Sequence, residues 1–325
     1  MNKLDYIKAG IFGTVVADAL GVPVEFSSRA ERKADPVTDM REYGTHNQPK
    51  GTWSDDSSMM LGTLDSIGEK GGIDLNDIMS RFSGWKYADA YTPHGSVFDM
   101  GVTCSKAIDR YLAGYDPVEC GGPEERDNGN GSLMRIMPAS LYASFKYDFL
   151  LYPQKEAVEL ISNVSSLTHA HPRSRIGCVL YTVLCYEIIN KRERSLEEIL
   201  NQAVKKVRMY YLMQTKDLAE ETEHYLRMSD AEQFKALPES EIKSSGYVVD
   251  TLEAAVWCLL NSRSYSECVL KAVNLGGDTD TVGAVAGGLA GLWYGYDDIP
   301  KEWLDVIVKK EWIEEMCQSF EKVIA

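Results

Sequence analysis

The chain has 325 residues, 44% of them apolar and 26% charged, which predicts a soluble globular protein with a large core. A net charge of −15 weighs against an extended nucleic-acid or anionic-membrane surface and leaves room only for a local anion pocket. Seven cysteines, an odd number without a C-x-x-C pair, suggest neither a disulfide framework nor a zinc ribbon, but buried thiols in a reducing compartment. No signal-peptide pattern opens the sequence, and the longest uncharged apolar run, residues 282–296, is short and Gly-rich for a membrane span. A cytoplasmic protein without a membrane contact is expected.

From Asp5 to Leu20, Ile7, Ile11, Val15 and Ala19 recur with a helical period, with Gly10, Gly13 and Ala17 between them, and Gly21-Val-Pro23 stops the run. Glu25 and Phe26 then precede a polar stretch from Ser27 to Lys50, read as one long loop of the kind that is often functional. Gly51-Thr-Trp-Ser-Asp-Asp-Ser-Ser58 leads into an apolar helical run from Met59 to Ile67. Taken locally, Ser54 is an N-cap, with Asp55 and Asp56 complementing the helix dipole in the first turn.

Helices are predicted over 74–91 and 98–112, with Asp99 at the start of the second. The Gly/Asn-rich loop from Gly121 to Ser132 precedes Leu133-Met-Arg-Ile-Met-Pro138 and offers backbone N–H groups on which a diphosphate could rest. Composition alone favours a plain surface turn there. The loop is neither a P-loop, since no Gly-Lys-Ser/Thr follows, nor a Rossmann fingerprint, since Met134 occupies the third Gly position.

Helical periodicity resumes over 155–167, 173–190 and 196–212. Between the first two lies Thr168-His-Ala-His171, where the supporting pieces of a zinc site are missing, so a hydrogen-bonding or substrate-contacting His169 is preferred to a zinc ligand. Lys216 to Ser245 is charged, weakly apolar and read as peripheral. Ser245-Gly-Tyr-Val-Val-Asp250 opens another helix, Ser264 to Val273 forms the next, and Pro300 starts a terminal amphipathic helix carrying Trp303, Ile307, Trp312 and Met316. Strand signals are almost missing, the best being Tyr247-Val-Val249, and no domain linker stands out. One all-α domain over 1–325 is the reading.

The least ordinary stretch is Asn274-Leu-Gly-Gly-Asp-Thr-Asp-Thr281 followed by the small-residue segment from Val282 to Gly295. If a helix begins near Asp278, then Asp278, Asp280 and Thr281 can converge on one point beyond its end. Each Gly in that helix costs up to about 1 kcal/mol of propensity, which close packing at the centre of a bundle would offset. Alone, these acids read equally well as dipole complements. Their recurrence at Ser54-Asp-Asp56 favours a second reading, half of a dinuclear oxygen-ligand site whose other half lies at the earlier helix start.

Gly13 to Phe26, Gly51 to Ser57, Phe98-Asp-Met-Gly101, Gly129 to Pro138, Thr168-His169, Gly246 to Trp257 and Gly276 to Gly295 together resemble the ADP-ribosylglycohydrolase family, relatives of dinitrogenase-reductase-activating glycohydrolase. The resemblance implies a globular, orthogonally packed helical bundle holding two divalent cations, Mg2+ or Mn2+. By position it implies that Ser54, Asp55, Asp56, Asp278, Asp280 and Thr281 are metal ligands, with one Asp bridging both ions. It likens Glu25 to the family's glutamate on a mobile loop over the site, and places Asp99, Asp127, Asn130, Gly131, Ser132, Met134, Arg135, His169 and Tyr247 along an ADP-ribose cleft. Ala17 and Ser54 depart from the family's usual Gly and Thr, and neither change removes a hard ligand.

The implied chemistry is metal-dependent hydrolysis at the anomeric carbon of ADP-ribose, from ADP-ribosylated protein or a small conjugate, with arginine the leading acceptor and a monomeric enzyme expected. Glu25, Asp55, Asp99 and Asp280 are the catalytic candidates, since a carboxylate both stabilises an oxocarbenium-like transition state and activates water, and Asp99 or Asp127 is placed near the leaving group. O-acetyl-ADP-ribose or ADP-ribosyl-serine hydrolysis, and a catalytically silent ADP-ribose-binding relative, are the alternatives. A D-x-D phosphatase reading of Asp278-Thr-Asp280 would need an apolar strand before the motif.

Overall fold

The computed structural model describes residues 1–191 and 193–324. Among them there is no strand, only isolated bridges such as Gly129 to Tyr247, so the all-α expectation holds. The helices are α1 (Lys3–Gly21), α2 (Arg29–Ala34), α3 (Asp55–Lys70), α4 (Leu75–Ala88), α5 (Val102–Leu112), α6 (Met137–Lys146), α7 (Lys155–Ser166), α8 (Pro172–Ile189) and α9 (Leu196–Leu212). They continue with α10 (Lys216–Glu221), α11 (Ala231–Lys235), α12 (Val248–Leu260), α13 (Tyr265–Asn274), α14 (Thr279–Tyr294), α15 (Lys301–Leu304) and α16 (Lys310–Ile324).

The centre of the molecule is the pair α1 and α14. Every residue of α14 from Thr279 to Leu292 is buried, as expected of a Gly/Ala helix that must offset its poor propensity by packing. The two backbones touch: a Cβ on Gly287 would lie 2.2 Å from the Gly13 carbonyl oxygen, and one on Gly291 2.0 Å from that of Ala9. Side-chain bonds extend the seam, since the Thr279 hydroxyl donates to Gly21 O at 2.8 Å and the Tyr265 hydroxyl to Gly13 O at 2.7 Å. By length and composition Lys3–Val24 would also pass as a membrane span, which the longest-run criterion overlooked. Its most apolar 18-residue window is 94% buried inside the fold, and it serves as a core helix. One apolar cluster runs from Ile7 to Ile324, and a smaller one joins α4 and α5.

Several expectations are corrected. The stretch 27–50 contains α2, started by a Ser28–Glu31 capping box that a purely polar reading passes over. Asp99 does not begin α5: it stands in a loop, and Gly101 is the N-cap. Residues 131–135 form turns and Ile136 is the N-cap, so the Gly/Asn-rich loop does not run directly into a helix, and α6 begins only at Met137. The 216–245 segment is not merely peripheral, because Tyr225, Met228, Phe234 and Ile242 insert into the core. The terminal helix is two helices, separated where Lys309 takes φ +53°. Val248 and Val249 belong to α12 rather than to a strand.

Candidate active site

The two acid-bearing helix starts meet at one end of the α1–α14 pair. Asp18, fully buried on α1, accepts hydrogen bonds from Ser54 N (3.0 Å), Ser57 N (3.1 Å) and Ser57 Oγ (2.5 Å), and so fixes the first turn of α3. Ser54 is the N-cap of α3, accepting from Asp56 N at 3.3 Å, and its hydroxyl lies 3.0 Å from Asp56 Oδ2. Thr281, in the first turn of α14, donates to the same Asp56 Oδ2 at 3.3 Å. That bond joins the two clusters. Asp278 is the N-cap residue of α14 but caps nothing; its Oδ2 accepts from Asn130 Nδ2 at 2.8 Å. Gly276 and Gly277, both near φ +74°, make the turn that delivers it.

Glu25 enters from the end of α1. Carboxylate oxygens of Glu25, Asp278 and Asp280 lie within 4.8 Å of one another, and Glu25, His46 and Asp99 form a second such group. His46 Nε2 hydrogen-bonds Glu25 Oε2, which raises the His46 pKa. The loop carrying Glu25 is pinned by Phe26 N to Gly277 O (2.8 Å) and Gly277 N to Ser27 O (2.7 Å). Across the site Gly101 N faces Asp55 Oδ2 at 3.4 Å.

Burial raises these carboxyls. Desolvation pushes Asp55, Asp56 and Asp280 well above the usual carboxylate range, reinforced by their acidic neighbours. Desolvation also raises Asp278 and takes Glu25 to about 7 and Asp18 to about 6, against hydrogen bonds from Asn130, His46 and Ser57 that pull the other way. Asp56 Oδ1 and Asp280 Oδ2 are buried and have no hydrogen-bond partner. Buried polar atoms are almost always paired, so two orphaned carboxylate oxygens beside a converging acid cluster fit a hard divalent cation.

Above this floor opens a cleft of about 380 Å³, within the range of small-molecule sites. Glu25, Asp55, Asp99, Asn130, Gly131, Met134, His169, Asp278 and Thr281 line it, while Ser54, Asp56 and Asp280 lie beneath. The remaining expected contacts do not reach the lining. Asp127 faces the Glu124 N–H on the loop's outer turn, so of the two acids placed near a leaving group only Asp99 is in the cleft. Ser132 bonds Ser165 and Cys178 in the core. Arg135 is wholly buried, stacked on Phe82 and bonded to Val164 O and Thr168 Oγ1. Tyr247 sits behind Gly129 with its hydroxyl on Arg173.

Arg135 nevertheless acts on the cleft at one remove. It donates to Thr168 Oγ1 (2.6 Å), and that hydroxyl hydrogen-bonds His169 Nδ1 (2.9 Å), with Nε2 on the side of Gly129 and Gly131. Burial, with Arg135 close by, lowers the His169 pKa to about 3, so the imidazole is neutral. Asp18 and His46 were not picked out as site residues from the sequence. A lone acid on an apolar helix face was the available signal for Asp18; His46 in a polar loop gave none.

A family model described as ADP-ribosylglycohydrolase matches residues 1–325. The chain belongs to the ADP-ribosylglycohydrolase family. It is 30% identical over 318 residues to ADP-ribosylarginine hydrolase Tri1 of Serratia proteamaculans, covering 98% of this chain and 79% of that protein. It is also 30% identical to the ADP-ribosyl-[dinitrogen reductase] glycohydrolase of Rhodospirillum rubrum, covering 94% and 92%. A solved structure described as an ADP-ribosylglycohydrolase-related protein complex superposes with a TM-score of 0.76 at 28% identity and 99% coverage of both chains. Within this family the chain is a hydrolase of ADP-ribosyl bonds, and the D-x-D phosphatase reading falls, since Asp278 follows a Gly-Gly turn after α13 rather than a strand.

Proposed function

We propose that the protein cleaves the glycosidic bond between ADP-ribose and an arginine side chain, on protein or on a small conjugate, using a dinuclear centre of Mg2+ or Mn2+. The observation that carries this reading is the meeting of the α3 and α14 starts through Thr281 and Asp56, with two orphaned carboxylate oxygens at the junction. Ser54, Asp55, Asp56, Asp278, Asp280 and Thr281 are the residues that would hold the cations, which when bound supply Lewis acidity and a fixed anchor for the ribose hydroxyls. The acceptor identity follows the relatives named for arginine.

In the reaction the anomeric C–N bond breaks, a C–O bond to water forms, and the water's proton passes to the departing nitrogen. Glu25 lines the cleft beside Asp278 and Asp280 and suits a group that takes and returns that proton. Asp99 faces the cleft, where it stabilises developing positive charge on the sugar. His169 and Asn130 hold the ADP-ribose half at the other wall. The test is release of free ADP-ribose from ADP-ribosyl-arginine, ADP-ribosyl-serine and O-acetyl-ADP-ribose with each metal. The arginine conjugate should turn over fastest, and chelation or Asp280→Ala should lower the rate at least a thousandfold. Unchanged release after either treatment contradicts the metal-dependent mechanism.

A further inference from the structure

A second, more open hollow of about 740 Å³ adjoins the cleft, lined among others by Ser28, Ile242, Lys243 and Ser245. The two share Phe26, Gly246 and Asp278, so a molecule spanning both has its middle beside the acid cluster. Phe26 stands at that junction in an unusual state. The residue is 69% exposed, and its backbone takes φ +63°, which a bulky non-Gly residue rarely adopts. The paired bonds to Gly277 hold it there, next to the turn that delivers Asp278. The ring centroid lies 6.0 Å from that of His46, which is 5.3 Å from Phe98. An exposed aromatic face, fixed by the backbone at the mouth of the site, matches one acceptor chemistry: a planar cation, attracted by the ring face.

We propose that Phe26 is the acceptor-specificity residue, its ring the platform on which a guanidinium stacks as the acceptor chain leaves through the open hollow. The inference rests on the hydrolase reading above and extends it from the ADP-ribose half to the other side of the bond. A neutral oxygen-linked acceptor gains nothing from the ring.

The experiment compares wild type, Phe26→Asn and Phe26→Trp. Asn tolerates the left-handed backbone and removes the platform; Trp keeps a better one. The readouts are kcat/KM for ADP-ribosyl-arginine and the inhibition constant of free ADP-ribose, which carries no acceptor. The expected result is a loss of about three- to thirty-fold in kcat/KM for Phe26→Asn, an ADP-ribose inhibition constant unchanged within about twofold, and near wild-type kcat/KM for Phe26→Trp. A parallel loss of ADP-ribose affinity, an unchanged kcat/KM, or a Trp variant as poor as Asn overturns the platform while leaving the hydrolase intact. No release of ADP-ribose by the wild-type protein overturns the hydrolase reading itself.

Discussion

At the start of α3 the acids are held from outside: Asp18 reaches across from α1 to take the N–H groups of Ser54 and Ser57, and Ser54 caps the turn. At the start of α14 the N-cap side chain makes no capping bond, and only Asp280 Oδ1 takes a first-turn N–H, that of Thr281. Asp278 turns away to Asn130, Asp280 keeps one oxygen unpartnered, and the helix behind them fixes their place through backbone contact with α1. Two stretches that look alike as acid-plus-hydroxyl helix starts are therefore different devices. One is a capped turn that also presents acids, the other a ligand cluster whose N-cap side chain makes no capping bond.

The largest effect should come from breaking the outside support. Asp18→Ala leaves the buried Ser54 and Ser57 donors unpaired, each worth about 1–3 kcal/mol, and should destabilise by more than about 3 kcal/mol in chemical denaturation. A change under about 1 kcal/mol would mean that α3 is held by its own cap. Gly287→Ala probes the other support: its methyl overlaps the Gly13 carbonyl, and a loss of about 1–3 kcal/mol is expected, with hydrolysis falling further than stability because the α14 start shifts.

Asp280→Asn separates the two devices most sharply. Removing a dipole-complementing acid destabilises a helix, whereas relieving repulsion in a ligand cluster stabilises the metal-free protein, here by about 1 kcal/mol, while activity is lost. The sign with pH agrees. Carboxyls raised in the native state, such as Glu25 at about 7, bind protons more tightly folded than unfolded. Stability without divalent cation should thus decline as pH rises from about 4 to about 7, the gain in Tm from Mn2+ should grow over the same range, and Asp280→Asn should flatten the decline. A destabilised variant with an unchanged pH profile would return Asp280 to the role of a simple helix-start acid.

Much of this was legible in sequence because it is local. The α9 bounds, the Ser54 cap and the burial of the Gly/Ala helix follow from periodicity, capping chemistry and propensity. The meeting of the α14 start with the α3 start, made by the Thr281–Asp56 bond, followed from the recurrence of the acid clusters plus the resemblance. What was not legible depends on chain segments far apart. Asp18 looks like a misplaced acid until Ser54 and Ser57 arrive from 36 and 39 residues away. His46 acquires a role only when its loop folds back on Glu25. Ser132, Arg135 and Tyr247 sit among motif residues whose neighbours line the cleft, but the turns at 131–135 point the first two into the core, and Tyr247 packs behind Gly129. Motif membership marks a segment, and backbone direction then decides which of its side chains reach the cleft.

The central claim is that the two helix starts form one cation site. Its most direct test is a double-mutant cycle of Mn2+ affinity, measured by calorimetric titration of the wild-type protein, Asp56→Asn, Asp280→Asn and the double variant. Each single change should weaken the same binding event by at least tenfold, and the double variant should be little worse than either one, since both remove ligands from a single centre. Losses that simply add, or an Asp56→Asn variant that binds Mn2+ as wild type does, would place the two acids in separate sites.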